Sequence, residues 1–96
     1  MTSKERAYLR SQANTIDAIF QIGKSGITDV LLKQLDDAIE ARELIKVTIL
    51  DSAPASAKEL AEELATGSNS VVVQTIGNKV TLFRQKKENS KYTLPK

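Results

Sequence analysis

The chain has 96 residues, of which 41% are hydrophobic and 27% charged, with a formal net charge of +2. This length predicts one domain with a single modest core, and no apolar run approaches the ~20 residues of a membrane-spanning helix. Cysteine and histidine are absent, which excludes disulfides, thiolate nucleophiles, Cys/His zinc sites and the most common general acid–base residue. We therefore expect a non-enzyme without metal or cofactor. Because the first residues lack the apolar core of a secretory signal, the default location is cytoplasmic.

Charge is unevenly distributed along the chain. Acidic residues concentrate in 27–65, whereas basic residues dominate 1–26 and, above all, 66–96. If both ends pack on one side, the domain has a basic face and an acidic face, and a basic face is typical of proteins that bind nucleic acid. The neighbouring carboxylates Asp36-Asp37 and Glu62-Glu63 fall in helical patterns and are predicted to be solvated.

The first half of the chain predicts a helix, a strand and a second helix. Residues 2–13 have a helical pattern that opens with a capping box at Thr2. Residues 18–22 alternate as a short strand, and Thr28 caps a helix over 28–42. The buried stripe of this second helix is predicted to contain Val30, Leu31, Leu35, Ala38 and Ile39.

The second half predicts a strand, a helix and a hairpin. Residues 44–50 alternate strongly as a strand. Ser56 begins a helix with another capping box, and Gly67 is predicted to be the C′ residue after it. Residues 71–83 form two β-branched segments around Gly77-Asn78, which is typical of a two-residue hairpin turn.

The resulting order is α-β-α-β-α-β-β, which predicts a single α/β domain with a four-stranded mixed sheet packed with helices. The two helices that connect strands predict crossovers and parallel neighbours, and the final hairpin adds an antiparallel pair. We place the domain at residues 1–84. Residues 85–96 are polar and basic without periodicity, and we interpret them as a basic flexible tail.

The most informative motif is the G-x-x-G loop Gly23-Lys24-Ser25-Gly26 between the first strand and the second helix. Two glycines allow a tight turn and close approach to a ligand, and the helix N-terminus and Lys24 favour an anion such as phosphate. The RNA-binding KH module clamps a nucleic-acid backbone with a GXXG loop. On the loop alone, a plain strand-to-helix turn that binds nothing remains an alternative.

Several segments along the chain carry a resemblance to the CRM domain, named for chloroplast RNA splicing and ribosome maturation. They run in order over about residues 4–84, and the match is closest to the stand-alone bacterial YhbY-like members. The matching segments are Tyr8-Leu9-Arg10, Ile22-Gly23-Lys24-Ser25-Gly26, Glu43-Leu44-Ile45-Lys46-Val47, Gln74-Thr75-Ile76-Gly77 and Leu82-Phe83-Arg84.

The resemblance implies an RNA-binding domain similar in fold to the C-terminal domain of bacterial translation initiation factor three. In bacteria it implies association with precursors of the large (50S) ribosomal subunit, and in plants related domains act in group II intron splicing. Asn14 stands where the family commonly has histidine, and Ala18 where it commonly has proline. No role of that histidine is carried over to this chain.

The resemblance also implies which residues contact RNA. Two glycines shape the loop, its lysine and serine face phosphate, and basic residues of the first helix and the C-terminal end extend the contact. For Tyr8, core packing is favoured over stacking on a base, because the chain is poor in aromatic residues. The candidate RNA-binding residues are Gly23, Lys24, Ser25, Gly26, Arg6, Arg10, Arg84, Lys86 and Lys87.

Three functions are compatible with these features. The first is non-catalytic binding of ribosomal RNA in 50S subunit assembly, by a protein that is monomeric when free. The second is a protein-interaction adaptor whose acidic helix, residues 29–43, docks a basic ribosomal or assembly protein. The third is a small enzyme of phosphate chemistry that uses the loop to hold an anion. The sequence offers no catalytic base, nucleophile or set of metal ligands to accompany the loop.

Overall fold

The computed structural model describes residues 1–95 and has the predicted order of three helices and four strands. It confirms the α/β fold class with a four-stranded mixed sheet. Within residues 1–95, none of the helices is long and apolar enough to cross a membrane. The elements are α1 (Ser3–Ala13), β1 (Ala18–Ile22), α2 (Asp29–Arg42), β2 (Leu44–Ile49), α3 (Ala57–Gly67), β3 (Val71–Ile76) and β4 (Lys79–Phe83).

Each helix begins where its cap predicts. Thr2 and Ser56 form complete capping boxes with Glu5 and Glu59, and Thr28 accepts a hydrogen bond from the backbone of the first turn of α2. The backbone N–H of Thr2 donates a hydrogen bond to the Glu5 carboxylate. This bond and the interaction with the Thr2 side chain lower the pKa of Glu5. The caps satisfy N–H groups that have no partner inside a helix, which explains why local sequence alone locates the three helix starts.

The strands lie in the order β1-β2-β4-β3. β1 and β2 are parallel, whereas β4 is antiparallel to both β2 and β3. The expectation of parallel neighbours is therefore right for β1 and β2 and wrong for β2 and β3. The crossover through α3 does leave β3 pointing the same way as β2, but the hairpin strand β4 inserts between them.

The sheet carries helices on both faces. α2 and α3 pack on one face around a core that includes Leu35, Ile39, Val47, Leu64 and Leu82. α1 packs on the other face, where a smaller cluster contains Leu9, Ala13, Leu44, Val73 and Phe83. Tyr8 packs against this smaller cluster, as favoured from the sequence.

The buried stripe of α2 differs from the prediction at one position. Leu35 and Ile39 are buried and Leu31 and Ala38 pack against the core, but Val30 is 68% exposed. Val30 precedes Ile39 by nine residues, which is about two and a half turns, so it lies on the opposite side of the helix.

Gly67 has a different role from the predicted one. It is the last residue of α3 rather than C′, Ser68 is the C-cap, and Asn69 adopts the left-handed conformation with φ of 55°. A Cβ on Gly67 would lie 2.7 Å from both methyl carbons of Leu32. Asn69 can take the left-handed position because asparagine tolerates positive φ. Gly67 instead leaves room for the Leu32 side chain, which lets α3 pack closely against α2.

The C-terminal segment, residues 85–95, contains no helix or strand but contacts the domain through Glu43. Glu43 is the single residue between α2 and β2, is fully buried and has φ of 67°. Its Oε2 accepts hydrogen bonds from the backbone N–H of Lys86 and from Ser90 Oγ, and its Oε1 accepts one from the N–H of Lys91 at 2.7 Å. The Tyr92 ring meets Phe83 edge-on at a centroid distance of 5.8 Å. Flexibility of this segment in solution stays a prediction.

The environment of Glu43 sets its ionisation. Burial by itself would raise the pKa of the carboxyl. The hydrogen bonds from Ser90, Lys91 and Lys86, together with the charge of Lys86, outweigh burial and lower the pKa. Glu43 is therefore held as a carboxylate that ties the C-terminal segment to the junction of α2 and β2.

Candidate functional site

The G-x-x-G loop forms a tight, closed turn at the carboxyl end of β1. The backbone N–H of Gly26 donates to the carbonyl of Gly23 at 2.9 Å, and Gly26 has φ of 66°. Lys24 and Ser25 lie at the exposed tip. Within residues 1–95, no hydrogen bond or ion pair engages the Lys24 side chain. The turn therefore presents an ammonium group and a hydroxyl group to solvent.

A second loop supports the glycine loop. Leu50 N–H donates to the Ile22 carbonyl at 2.8 Å, which continues the parallel pairing of β1 and β2 into this region. A Cβ on Gly26 would lie 3.0 Å from Pro54 Cγ, whereas a Cβ on Gly23 would meet Ser52 Oγ at 3.3 Å. The loop that follows β2 thus packs directly beneath the glycine loop.

The two glycines are not equivalent, and their alanine variants test this. We expect Gly26→Ala to lower the free energy of unfolding by about 1–2 kcal/mol, because an L side chain is strained at positive φ and its Cβ would press on Pro54. We expect Gly23→Ala to have a smaller effect, since its φ is not positive and Ser52 can rotate away. Urea unfolding of both variants checks the difference, and equal losses would contradict it.

The helix N-terminus beside the loop is partly occupied. The Thr28 hydroxyl accepts a hydrogen bond from Leu31 N–H at 3.1 Å, and the Thr28 carbonyl accepts one from Leu32 N–H. Asp29 places a carboxylate in the first turn of α2. A phosphate at this loop would rely mainly on Lys24 and the turn itself, with less help from the helix dipole than the motif predicts.

Arg6 is tied to the edge of the sheet. Its Nη1 donates to the carbonyls of Val72 and Val73, at 2.6 and 2.9 Å. These carbonyls flank the irregularity in β3, where the pairing register shifts between Val72 and Gln74. The guanidinium therefore anchors α1 to β3, while Arg10, one turn later, is exposed.

Arg84 joins the middle of α2 to the C-terminal end of α3. Its Nη1 lies 2.6 Å from Asp36 Oδ1 and donates to the Ser68 carbonyl at 3.0 Å. Its Nη2 donates to the Asp36 carbonyl at 3.2 Å and to Glu40 Oε2 at 3.1 Å. Arg84 thus neutralises part of the acidic surface of α2.

The structure separates the predicted site into two regions. β4 ends beside the start of β2, since Phe83 pairs with Leu44, whereas the glycine loop lies at the far end of the parallel strands. The length of β2 puts about 17 Å between the two regions. Lys86 is half-buried and Lys87 exposed at the Arg84 end, so these three residues do not form one cluster with Lys24.

Sequence reasoning missed the role of Glu43. The sequence places Glu43 in a segment that resembles the family and at the end of the acidic helix, but in the structure it is a buried acceptor for three hydrogen bonds. One signal was available: a single residue joins the end of α2 to the start of β2. Such a short connection needs an unusual backbone conformation, which draws attention to any residue other than glycine there.

The chain belongs to the CRS1 / YhbY (CRM) domain family, whose model matches residues 1–84. Probable RNA-binding protein YqeI of Bacillus subtilis is 45% identical over 95 residues and 99% of each chain. Probable RNA-binding protein MJ0652 of Methanocaldococcus jannaschii is 32% identical over all of this chain and 72% of that protein. The solution structure of hypothetical protein SAV1595 from Staphylococcus aureus, proposed there as an RNA-binding protein, matches with a TM-score of 0.83 and 48% identity over 99% of both chains. The family resemblance seen in the sequence is confirmed.

Proposed function

We propose that this protein binds RNA without catalysis, holding ribosomal RNA phosphates at the G-x-x-G loop during assembly of the large (50S) ribosomal subunit. The observation that carries the proposal is the exposed tip of the loop, where Lys24 and Ser25 have free donors. Relatives that cover nearly the whole chain are named as RNA-binding proteins, which favours RNA over other anions.

The loop has the chemistry of a phosphate contact. An ammonium group and a hydroxyl group can both donate to phosphate oxygens, and such charge-assisted hydrogen bonds are among the stronger ones. The hydrogen bond from Gly26 to Gly23 closes the turn, and the loop beneath it packs against both glycines. A preformed tip loses less entropy on binding than a mobile one.

The adaptor alternative has less support. Arg84 occupies Asp36 and Glu40, so the middle of the acidic helix has an internal partner. Asp29 and Asp37 remain exposed on the same helix. If partner proteins stay bound after nuclease treatment and their binding depends on these carboxylates, the adaptor function is favoured instead.

The Lys24→Ala/Ser25→Ala variant tests the proposal. We expect about a tenfold loss of affinity for fragments of large-subunit ribosomal RNA, equal to about 1.4 kcal/mol. We also expect the salt dependence to become shallower by about 0.9 per lost contact on a duplex. Fluorescence anisotropy across a salt series measures both quantities.

Lys58→Ala is the matched control, because it removes one exposed lysine from α3. It should retain the affinity and the salt slope. Circular dichroism verifies that all variants fold. Unchanged binding by the folded loop variant would mean that the loop is only a turn, and wild-type binding that ignores salt would contradict an RNA phosphate interface altogether.

A further inference from the structure

One part of the sheet is not covered by a helix. The pairing register aligns Gln21 with Thr48, Thr48 with Lys79, and Lys79 with Ile76 across the four strands. One row further along, Lys46 pairs with Thr81 and Thr81 with Gln74. Directly paired residues point to the same face of a sheet. We call this surface the polar sheet face and define it by its polar residues Gln21, Lys46, Thr48, Gln74, Lys79 and Thr81, with the apolar Ile76 at its β3 edge.

The polar sheet face lies on the side of the sheet that carries α1. Lys46 and Thr48 lie two and four residues after Leu44 on β2, so they point to the same face of the sheet. Leu44 packs there in the small cluster with Leu9 and Ala13 of α1. The polar sheet face therefore begins beside the part of the sheet that α1 covers, and it extends toward the carboxyl ends of β1 and β2. At that end Gln21 is only two residues before Gly23, so the face is continuous with the glycine loop.

The exposure of the side chains makes the face available to a ligand. Gln21 and Lys79 are exposed, as is the apolar Ile76 beside Lys79, and Lys46, Thr48 and Gln74 are half-buried. Thr81, at the centre, is buried. Strands in a sheet are about 4.8 Å apart, so the row from β1 to β4 alone crosses about 10 Å of surface.

Charge separates the two sides of the sheet. Within residues 1–95, the four strands contain lysines at positions 46 and 79 and no carboxylate. The helices on the opposite side are rich in acids, including Asp37 on α2 and Glu62 and Glu63 on α3. A polyanion is therefore attracted to the polar sheet face and repelled from the helical side.

The side-chain chemistry selects the kind of contact. Amide, hydroxyl and ammonium groups can bind phosphate oxygens and the ribose 2′-hydroxyl. Neither strand phenylalanine is open on this face, because Phe20 packs against the core beneath α2 and α3, and Phe83, on the same side of the sheet, is buried under α1. The face therefore lacks the stacking platform by which other sheet surfaces read bases.

We propose that the polar sheet face is a second RNA-contacting surface, which binds the sugar-phosphate backbone of the same RNA whose neighbouring phosphate is held at the glycine loop. This inference rests on the proposed function and extends it from a loop to a continuous surface. Lys46 and Lys79 supply its charge, and Gln21, Thr48 and Gln74 supply neutral hydrogen-bonding groups.

The test is the Lys46→Gln/Lys79→Gln variant, with a fluorescein-labelled RNA hairpin and a polyuridylate of equal length as probes. We expect about a tenfold loss of affinity at moderate salt. We expect the salt slope to become shallower by about 1.8 on the hairpin and about 1.4 on the single strand, since two contacts are lost. Lys33→Gln/Lys58→Gln removes the same charge from the helical side and should change binding much less.

The outcomes distinguish this inference from the proposed function. If wild-type protein binds and the loop variant is weakened while the sheet variant equals its control, the polar sheet face is not an RNA surface and the loop stands alone. If wild-type protein binds neither probe, both proposals fail. Should the sheet variant not fold, backbone amide shifts of wild-type protein with added hairpin decide: shifts at residues 46–48 and 79–81 support the surface, and their absence overturns it.

Discussion

Glu43→Gln is expected to lower the free energy of unfolding by about 2–4 kcal/mol, because a buried acceptor becomes partly a donor. Both carboxylate oxygens are used: Oε1 by Lys91 N–H, and Oε2 by Lys86 N–H and Ser90 Oγ. An amide has only one oxygen, so in either orientation its NH₂ group meets a backbone N–H. Urea and thermal unfolding measure the loss, and for a domain of this size each kcal/mol shifts Tm by about 4–8 °C.

Glu88→Gln is the matched control, since it makes the same charge change at an exposed position of the same segment. It should stay within about 0.5 kcal/mol of wild type. If the Glu43 variant is equally stable, the carboxylate does not hold the C-terminal segment.

Acid gives an independent measurement of the same contact. The pKa of Glu43 is lower in the folded protein than its ordinary value, so the unfolded chain takes up the proton first as pH falls. The stabilisation is complete above the ordinary glutamate pKa and is lost as pH falls through the folded pKa. Wild type should therefore lose more stability than Glu43→Gln on acidification, and parallel pH profiles would contradict this.

Arg84→Lys is expected to lower the free energy of unfolding by about 2 kcal/mol although it keeps the charge. The flat guanidinium donates at once to Asp36, Glu40 and the Ser68 carbonyl, and an ammonium group cannot reproduce this geometry. The ion pairs are partly exposed and contribute little by themselves, so most of the loss comes from the hydrogen bonds to the carbonyls of Asp36 in α2 and Ser68 at the end of α3.

The same variant separates a structural role from an RNA contact. If Arg84 mainly joins α2 to the end of α3, the folded lysine variant binds RNA with unchanged affinity and salt slope. Lys87→Gln is the control at an exposed neighbour and should leave stability unchanged. A normal unfolding free energy with weakened RNA binding would assign Arg84 to the RNA interface instead.

The helix starts, the hairpin and the glycine loop could be predicted from the sequence because each depends on residues close together in the chain. The Thr2, Thr28 and Ser56 caps act on N–H groups three residues away. The turn at Gly77 needs only a residue that accepts positive φ. No distant contact has to be known for any of these features.

The roles of the charged residues could not be predicted in this way. Arg6 and Arg84 are residues of the type expected on a basic RNA surface. Their hydrogen-bond acceptors, however, lie 66 and 48 positions away in the chain. Whether an arginine faces solvent or a carbonyl depends on which elements the fold brings together. The insertion of β4 between β2 and β3 likewise follows from packing of the whole sheet.

The sequence by itself determined the order of elements, the family and the loop at Gly23–Gly26, because periodicity, caps and turn residues act over a few positions. Only the tertiary structure decided which cations remain free, that Glu43 is a buried acceptor and that Lys46 and Lys79 share one open face. Hydrogen bonds and desolvation depend on neighbours in space, and a strand's lysine acquires its surroundings only when the other strands pair with it.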